Sequence, residues 1–174
     1  MNFTLALLQE NDVLQFKKDI QYAFQQGAID GFGTIDKEIL SERNINDSLS
    51  TEGSAAYKAL LDGEMVGGAV VIIDTETQHN HLDLLYVKNG TQGKGIGHLI
   101  WQEIERLYPE TRVWETQTPY FEKRNVHFYV NRCGFSIVEY YNKSHPDPND
   151  PVSKYDLPDI EYFDDMFRFE KVMN

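Results

Sequence analysis

Cysteine is almost missing from this chain: Cys133 stands alone among 174 residues. One thiol closes no internal disulfide, and no Cys/His cluster has zinc spacing, so the sequence predicts a cytoplasmic, metal-free protein. Long hydrophobic runs are missing as well. None approaches the ~20 residues of a membrane span. The apolar stretch at residues 5–8 has no basic residue before it and runs into Gln9-Glu10-Asn11-Asp12, flanks that predict no signal peptide. Positive charge is scarce: 16 Lys and Arg face 28 Asp and Glu, a formal net charge of -12. A field of that sign repels phosphate backbones and draws cations, which removes nucleic acid from the expected partners. The Asn-x-Ser/Thr triplets at Asn2, Asn46, Asn89 and Asn142 then read as chance matches rather than glycosylation sites.

What is present suffices for a core. A chain of this length buries roughly 68–70% of its extended surface on folding, and 41% of its residues are hydrophobic. Residues 2–8 are apolar and β-prone; Phe16, Ile20, Ala23 and Phe24 then recur at helical spacing, up to the glycines of 27–33. Residues 35–45 are expected to form a second, weaker helix. Apolar runs at 55–61, 66–73 and 82–87, separated by Asp62-Gly63-Glu64 and the polar stretch 74–80, read as an antiparallel meander, because Asp-Gly between apolar runs signals a hairpin. The period then changes: Ile96, Leu99, Ile100, Ile104 and Leu107 share one helical face that ends at Tyr108-Pro109. A strand at 112–116, a short helix at 125–133 stopped by Gly134, and strands at 135–141 and 166–173 complete the chain. The order β-α-α-β-β-β-α-β-α-β-β, with no internal repeat and no clear linker, predicts one mixed α/β (α+β) domain over residues 1–174.

The segment Gln92-Gly93-Lys94-Gly95-Ile96-Gly97 lies between a predicted strand and a predicted helix. Its glycines let successive N–H groups converge, and the helix N-terminus adds partial positive charge, a combination that suits phosphate oxygens. A tight turn with no ligand is the bland alternative. The P-loop pattern G-x-x-x-x-G-K-S/T is absent. The dinucleotide fingerprint G-x-G-x-x-G breaks at His98, although Glu115 stands where a ribose-binding acid would be sought. That fingerprint also follows the first strand of a parallel unit, whereas a meander precedes it here.

The pattern Q-x-x-G-x-G after the fourth strand, preceded by Leu84-Leu85-Tyr86-Val87 and followed by Gly134-Phe135, resembles the GNAT family of acyl-CoA N-acetyltransferases. The resemblance extends in element order from the strand at Asn2 to the strand near Met166. It implies a GNAT-like fold, a central and mostly antiparallel sheet with about four helices, and acetyl-CoA as cosubstrate. Pantetheine would lie in a V-shaped opening between the strands ending at Val87 and Thr116, against the backbone of Leu85, Tyr86 and Val87. The pyrophosphate would rest on Gly93, Lys94, Gly95, Ile96 and Gly97, with Gln92 and His98 assisting and Asn125 as a pantetheine contact.

An alkyl ammonium is almost wholly protonated at neutral pH, so transfer to an amine needs a proton acceptor. His81, six residues before Val87, occupies the position from which the family often supplies the base, and an imidazole titrates near neutrality. Asp83 has the same strand parity, and Glu115 is a third candidate; solvent-facing strand positions explain all three equally simply. For the acid that protonates the leaving thiolate, the family commonly has a tyrosine four residues before the helix-ending glycine. Val130 holds that place and Tyr129 precedes it. A one-residue shift turns a helical side chain by about 100° unless the helix is bulged. Tyr129 is the candidate acid, with core packing beside Val126 and Cys133 as the competing reading. Direct attack in a ternary complex leaves Cys133 no nucleophilic role.

The acceptor would enter between residues 26–45 and the Pro-rich insert 144–165. That insert carries Asp147, Asp150, Asp156, Asp159, Glu161, Asp164 and Asp165 against Lys154 alone, a rim that draws a cationic amine. Tyr120, Phe121, Tyr140, Tyr141, Tyr155, Tyr162 and Phe163 are candidate walls. The implied function is transfer of acetyl from acetyl-CoA to a primary amine of a small cationic molecule. A peptide acceptor and a homodimer stay open, as does a non-catalytic acyl-CoA sensor or interaction module that lost the tyrosine.

Overall fold

The computed structural model describes residues 1–91, 93–149 and 158–174. The elements run β1 (Phe3–Leu7), α1 (Val13–Phe32), α2 (Glu42–Ser50), β2 (Ser54–Leu61), β3 (Glu64–Ile72), β4 (His79–Val87), α3 (Ile96–Leu107), β5 (Val113–Pro119), α4 (Lys123–His127), β6 (Ser136–Tyr141) and β7 (Met166–Val172). The strands form one sheet in the order β1-β2-β3-β4-β5-β7-β6. Each neighbouring pair is antiparallel except β4 and β5. The expected mixed sheet, mostly antiparallel with four helices, is the one observed.

Local chemistry explains the element ends. Asp62 and Gly63 both have positive φ, at 51° and 89°, between the paired Leu61 and Glu64. This is the conformation that a two-residue hairpin turn needs to match strand twist. Helix α3 buries Ile96, Ile100, Trp101 and Ile104, the face that the sequence period marks. Against the same sheet face lie Ala69, Val71, Leu82, Trp114 and Phe169, with the Trp101 and Trp114 rings edge to face at 5.1 Å. On the other face α1 lays Phe16 and Ile20, both fully buried, against Val70, Leu84 and Tyr86. Burying each such side chain stabilises by about 1.5–3 kcal/mol.

The helix expected at 35–45 is corrected by the structure. Helix α2 begins later, at Glu42, where the Ser41 side chain caps it by accepting from the Asn44 N–H at 3.0 Å. The preceding segment is non-helical because α1 satisfies its backbone. Gln21 Nε2 donates to the Leu40 carbonyl at 3.1 Å. Gln25 donates to the Lys37 carbonyl and accepts from the Ile39 N–H, each at 2.9 Å. Side chains that supply these bonds remove the need for a helical ladder, while Ile39 and Leu40 stay buried.

The short helix expected at 125–133 also differs. Helix α4 starts at Lys123 and gives way to a π-turn over Phe128–Arg132, in which the Cys133 N–H donates to the Phe128 carbonyl at 3.0 Å. Gly134 then stops the segment with φ of 83°. Among the described residues no helix is long and apolar enough to cross a membrane.

Candidate active site

Strands β4 and β5 pair only at His79–Val113, Asn80–Trp114 and His81–Glu115, and then splay. Beyond that point β4 keeps its β3 ladder through Val87 but presents its other edge to a cleft. Where the backbone of β5 has moved away, the Thr116 hydroxyl donates to the Leu82 carbonyl at 2.9 Å and satisfies it. A bulge shapes the same edge: Val70 opposes Leu84 and Val71 opposes Leu82, which leaves Asp83 out of register. The side-chain parity of β4 therefore reverses. Leu82 packs with Trp114 and α3, whereas Leu84 and Tyr86 pack with Phe16 and α1.

One cavity of about 1460 Å³ fills the splay. Of the residues expected to bind the cosubstrate, Leu85, Tyr86, Val87, Gly93, Gly95, Ile96, Gly97, His98 and Asn125 line it. Lys94 is exposed outside that lining, and Gln92 lies outside the described residues. Gly95 caps α3 in the left-handed conformation, with φ of 72° and ψ of 16°, a geometry costly for any residue with a Cβ. Gly97 has a different reason. A Cβ there would stand 3.2 Å from the Phe128 ring, so only glycine lets α3 and the π-turn close on each other without displacement. The first N–H groups of α3 have no acceptor within the helix and face the cleft end with its partial positive charge. The Asn125 amide is engaged by Thr118, Nδ2 to Oγ1 at 3.3 Å.

Tyr129 lines the cavity although only 8% of it is exposed. Phe128, Phe135 and Phe169 surround its ring at centroid distances of 5.3, 5.6 and 5.6 Å. Burial pushes its phenol well above the ordinary range, and Cys133 adds to that, while a hydrogen bond with Thr116 opposes it. The phenol is therefore held protonated. The extra residue between Tyr129 and Gly134 is absorbed by the π-turn. Buried Cys133 is pushed up to about 12, chiefly by desolvation, so it offers no thiolate.

Where β4 and β5 still pair, His79 Nε2 and His81 Nε2 contact Glu115 Oε1 and Oε2 at 3.0 and 3.1 Å, and Arg168 donates to Oε1 at 3.2 Å. Burial alone would raise the Glu115 carboxyl. The His81 hydrogen bond and charge, the His79 hydrogen bond and the Arg168 charge outweigh it and hold the group at about 2. An ionised carboxylate accepts only, so each ring places its proton on Nε2 and leaves Nδ1 as the basic nitrogen. Asp83 shares this face, as its strand parity predicts, and accepts from the Ser48 hydroxyl of α2.

Two residues that sequence reasoning did not single out, or placed only as wall, complete the cavity. Glu122 is 8% exposed, accepts from the Tyr162 hydroxyl at 2.6 Å, and has its carboxyl raised by burial against the lowering effects of Tyr162 and Arg124. It lies against α1 beside Gly27 and Gly31, and the approach depends on the second of these, since a Cβ on Gly31 would come within 2.9 Å of the Phe121 carbonyl. The glycine pair four apart in a helix was the available signal. Phe121, Tyr141, Tyr162 and Phe163 line the cavity, while Tyr120 and Tyr140 stack on each other at 6.4 Å at exposed positions. Asp150, Lys154, Tyr155 and Asp156 lie outside the described residues.

Comparison with known proteins agrees with this geometry. A sequence model of the "Acetyltransferase (GNAT) family" matches residues 20–135. The protein YrkN of Bacillus subtilis (strain 168), described as uncharacterized, is 46% identical over 171 residues, which is 97% of this chain and 92% of that protein. A Bacillus subtilis acetyltransferase solved in complex with CoA superposes with a TM-score of 0.70 at 17% identity, over 99% of this chain and 100% of that one. The spermidine N-acetyltransferase of Vibrio cholerae, solved with CoA and spermine, gives a TM-score of 0.67 at 13% identity, over 98% and 95% of the two chains. The ribosomal-protein-S18-alanine N-acetyltransferase of Escherichia coli gives 0.70 at 12% identity, over 99% and 95%.

Proposed function

The chain belongs to the acetyltransferase (GNAT) family, whose members draw on acetyl-CoA, and on that premise we propose that it acetylates a primary amine of a small cationic molecule in a ternary complex. The observation that carries this reading is the continuity of one cavity from the glycine turn at the α3 N-terminus, through the β4–β5 splay, to the acidic and imidazole groups beside the last paired residues of those strands. The first suits a pyrophosphate, the second an extended pantetheine, and the third an ammonium. Residues 1–174 would act as one domain, in the cytoplasm.

In this mechanism the cosubstrate lies along Leu85, Tyr86 and Val87, where the N–H groups of Leu85 and Val87, turned away from the β3 ladder, polarise the thioester carbonyl and hold the oxyanion. Gly93, Lys94, Gly95, Ile96, Gly97, His98 and Gln92 hold the pyrophosphate, and Asn125 touches pantetheine. His81 Nδ1 takes a proton from the ammonium, and Glu115 fixes the ring; at about 2 that carboxyl is too weak a base to act alone. The free amine attacks the carbonyl carbon, the C–S bond breaks as the Tyr129 hydroxyl gives its proton to the departing thiolate, and the second proton of the attacking nitrogen passes to the resulting phenolate, so that amide, thiol and phenol are all left neutral. Desolvation raises a thiolate's basicity as it raises the phenol's, so the transfer stays feasible in the dry end of the cleft. Glu122 receives a cationic group of the acceptor, whose charge offsets the cost of ionising a buried carboxyl. The spermidine enzyme of similar fold supports a polyamine-like acceptor. The sensor alternative rested on Val130 at the tyrosine position; the π-turn, with Tyr129 lining the cavity, supports the enzyme reading.

The test is thiol release from acetyl-CoA by the purified protein across a panel of polyamines, aminoglycosides and N-terminal peptides, with thermal midpoints in acetyl-CoA, CoA and NAD. A ligand at 100 times its dissociation constant stabilises by about 2.7 kcal/mol. A rise with both CoA species and acetylation of a cationic amine is expected. A rise with NAD alone, or none, overturns the reading.

A further inference from the structure

The spacing of the sequence predicts no metal, yet the parallel ladder brings two imidazoles and a carboxylate to one point. We propose that His79, His81 and Glu115 form a binding site for Zn²⁺. One donor atom from each residue lies within 4.8 Å of the other two. The His79 and His81 nitrogens stand 3.0 and 3.1 Å from the carboxylate oxygens. Two ligands held about 2.1 Å from an ion, at angles between square and tetrahedral, are about 3.0–3.4 Å apart. The imidazole-to-carboxylate spacings already match that range, and the two rings, held to separate oxygens, would turn toward each other to close on an ion.

Three features make this a built site rather than a chance meeting of surface groups. The two histidines are alternate residues on one face of β4, and Glu115 is the direct register partner of His81, at the stretch where β4 and β5 still pair. Backbone hydrogen bonds thus fix the three Cα positions before any ion arrives. The carboxylate is itself held from behind by Arg168, 3.2 Å from Oε1, as metal-ligating carboxylates usually are by outer partners. Arg168 is neutralised in turn by Glu170, and Asp83 and Glu139 face the same cavity, so the surroundings stay anionic overall. Finally, the His79 and His81 side chains are 38% and 44% exposed, which gives an ion a path from solvent and leaves water the fourth position. Two histidines, a glutamate and an open position form a donor set that suits zinc.

Binding exchanges two N–H···O bonds for metal bonds, each ring giving up its Nε2 proton so that this nitrogen can ligate. The loaded protein would also lose the basic Nδ1 of His81, so zinc would oppose acetyl transfer.

The experiment uses chelator-stripped full-length protein and titrates Zn²⁺ by calorimetry and Co²⁺ by its visible absorption, with no acetyl-CoA present, so it stands apart from the function proposed above. One ion per chain is expected. His79→Ala and Glu115→Gln should each weaken binding by at least about 10-fold, while His145→Ala, beside Glu139, leaves it unchanged. A silent titration in both readouts, or affinity unchanged in both His79→Ala and Glu115→Gln, overturns the proposal. Circular dichroism confirms that each variant is folded before it is scored.

Discussion

Burial raises both Tyr129 and Glu122 in one cavity, and the two roles proposed for them can be tested separately. Tyr129 is kept protonated by desolvation, which suits a group that must give a proton to a thiolate and no sooner. Tyr129→Phe keeps the ring packed on Phe135 and Phe169 while removing the hydroxyl, so kcat should fall by roughly 100-fold with little change in KM. Equal losses of stability and activity would instead mark a packing role. The Glu122 carboxyl is raised above its ordinary 4.5, mainly by burial. A raised carboxyl holds its proton more tightly folded than unfolded. It therefore contributes stability below pH 4.5 that is lost as pH rises through the folded value. Glu122→Gln keeps an acceptor for Tyr162 but does not titrate. Its denaturation midpoint should gain on the wild type between pH 4.5 and 7.5, while KM for a cationic acceptor rises by about 10-fold through loss of a charge-assisted bond. Parallel pH curves for the two proteins would show that Glu122 carries no such burden.

Elements place these residues, and the loop before α3 is the most exacting of them. Gly95→Ala forces a Cβ into the left-handed conformation at a cost of about 1–2 kcal/mol. The acetyl-CoA dissociation constant should rise about 10-fold as the N–H groups lose their convergence, read by calorimetry, with the fold intact by circular dichroism. A glycine turn of this kind was legible in sequence because its chemistry is local, and so were the hairpin at Asp62-Gly63 and the apolar stripe of α3. Features that depend on a partner element were not. The π-turn follows from one residue too many between Tyr129 and Gly134, and only the close packing of Gly97 on Phe128 shows how the excess is taken up. The non-helical course of 35–41 rests on Gln21 and Gln25, polar residues on α1 whose reach across to another segment has no signature in their own spacing. The same holds for His79, which in sequence belongs to the polar stretch between two apolar runs and meets Glu115 only when β4 starts early and β5 pairs with it.

At the scale of the whole molecule, a net charge of -12 acts on the two substrates with opposite sign. A cationic acceptor is drawn toward the part of the cavity where Glu115, Glu122, Glu139, Asp147 and Glu170 line the wall against Arg168 and a few other cations. Acetyl-CoA is an anion that must approach against that field and is held only by short-range contacts at the glycine turn. Salt shortens the reach of both effects, the Debye length falling from about 30 Å at 0.01 M to about 10 Å at 0.1 M. Raising ionic strength across that range should therefore increase KM for a polyamine several-fold, and leave KM for acetyl-CoA unchanged or lower it. A neutral hydroxylamine acceptor serves as the control, since it has no charge for the field to act on. Initial rates with one substrate saturating and the other varied, at the two salt concentrations, separate the terms. If both constants rose together, salt would be acting on the fold or on the chemical step, and the acidity of the chain would have no part in choosing its acceptor.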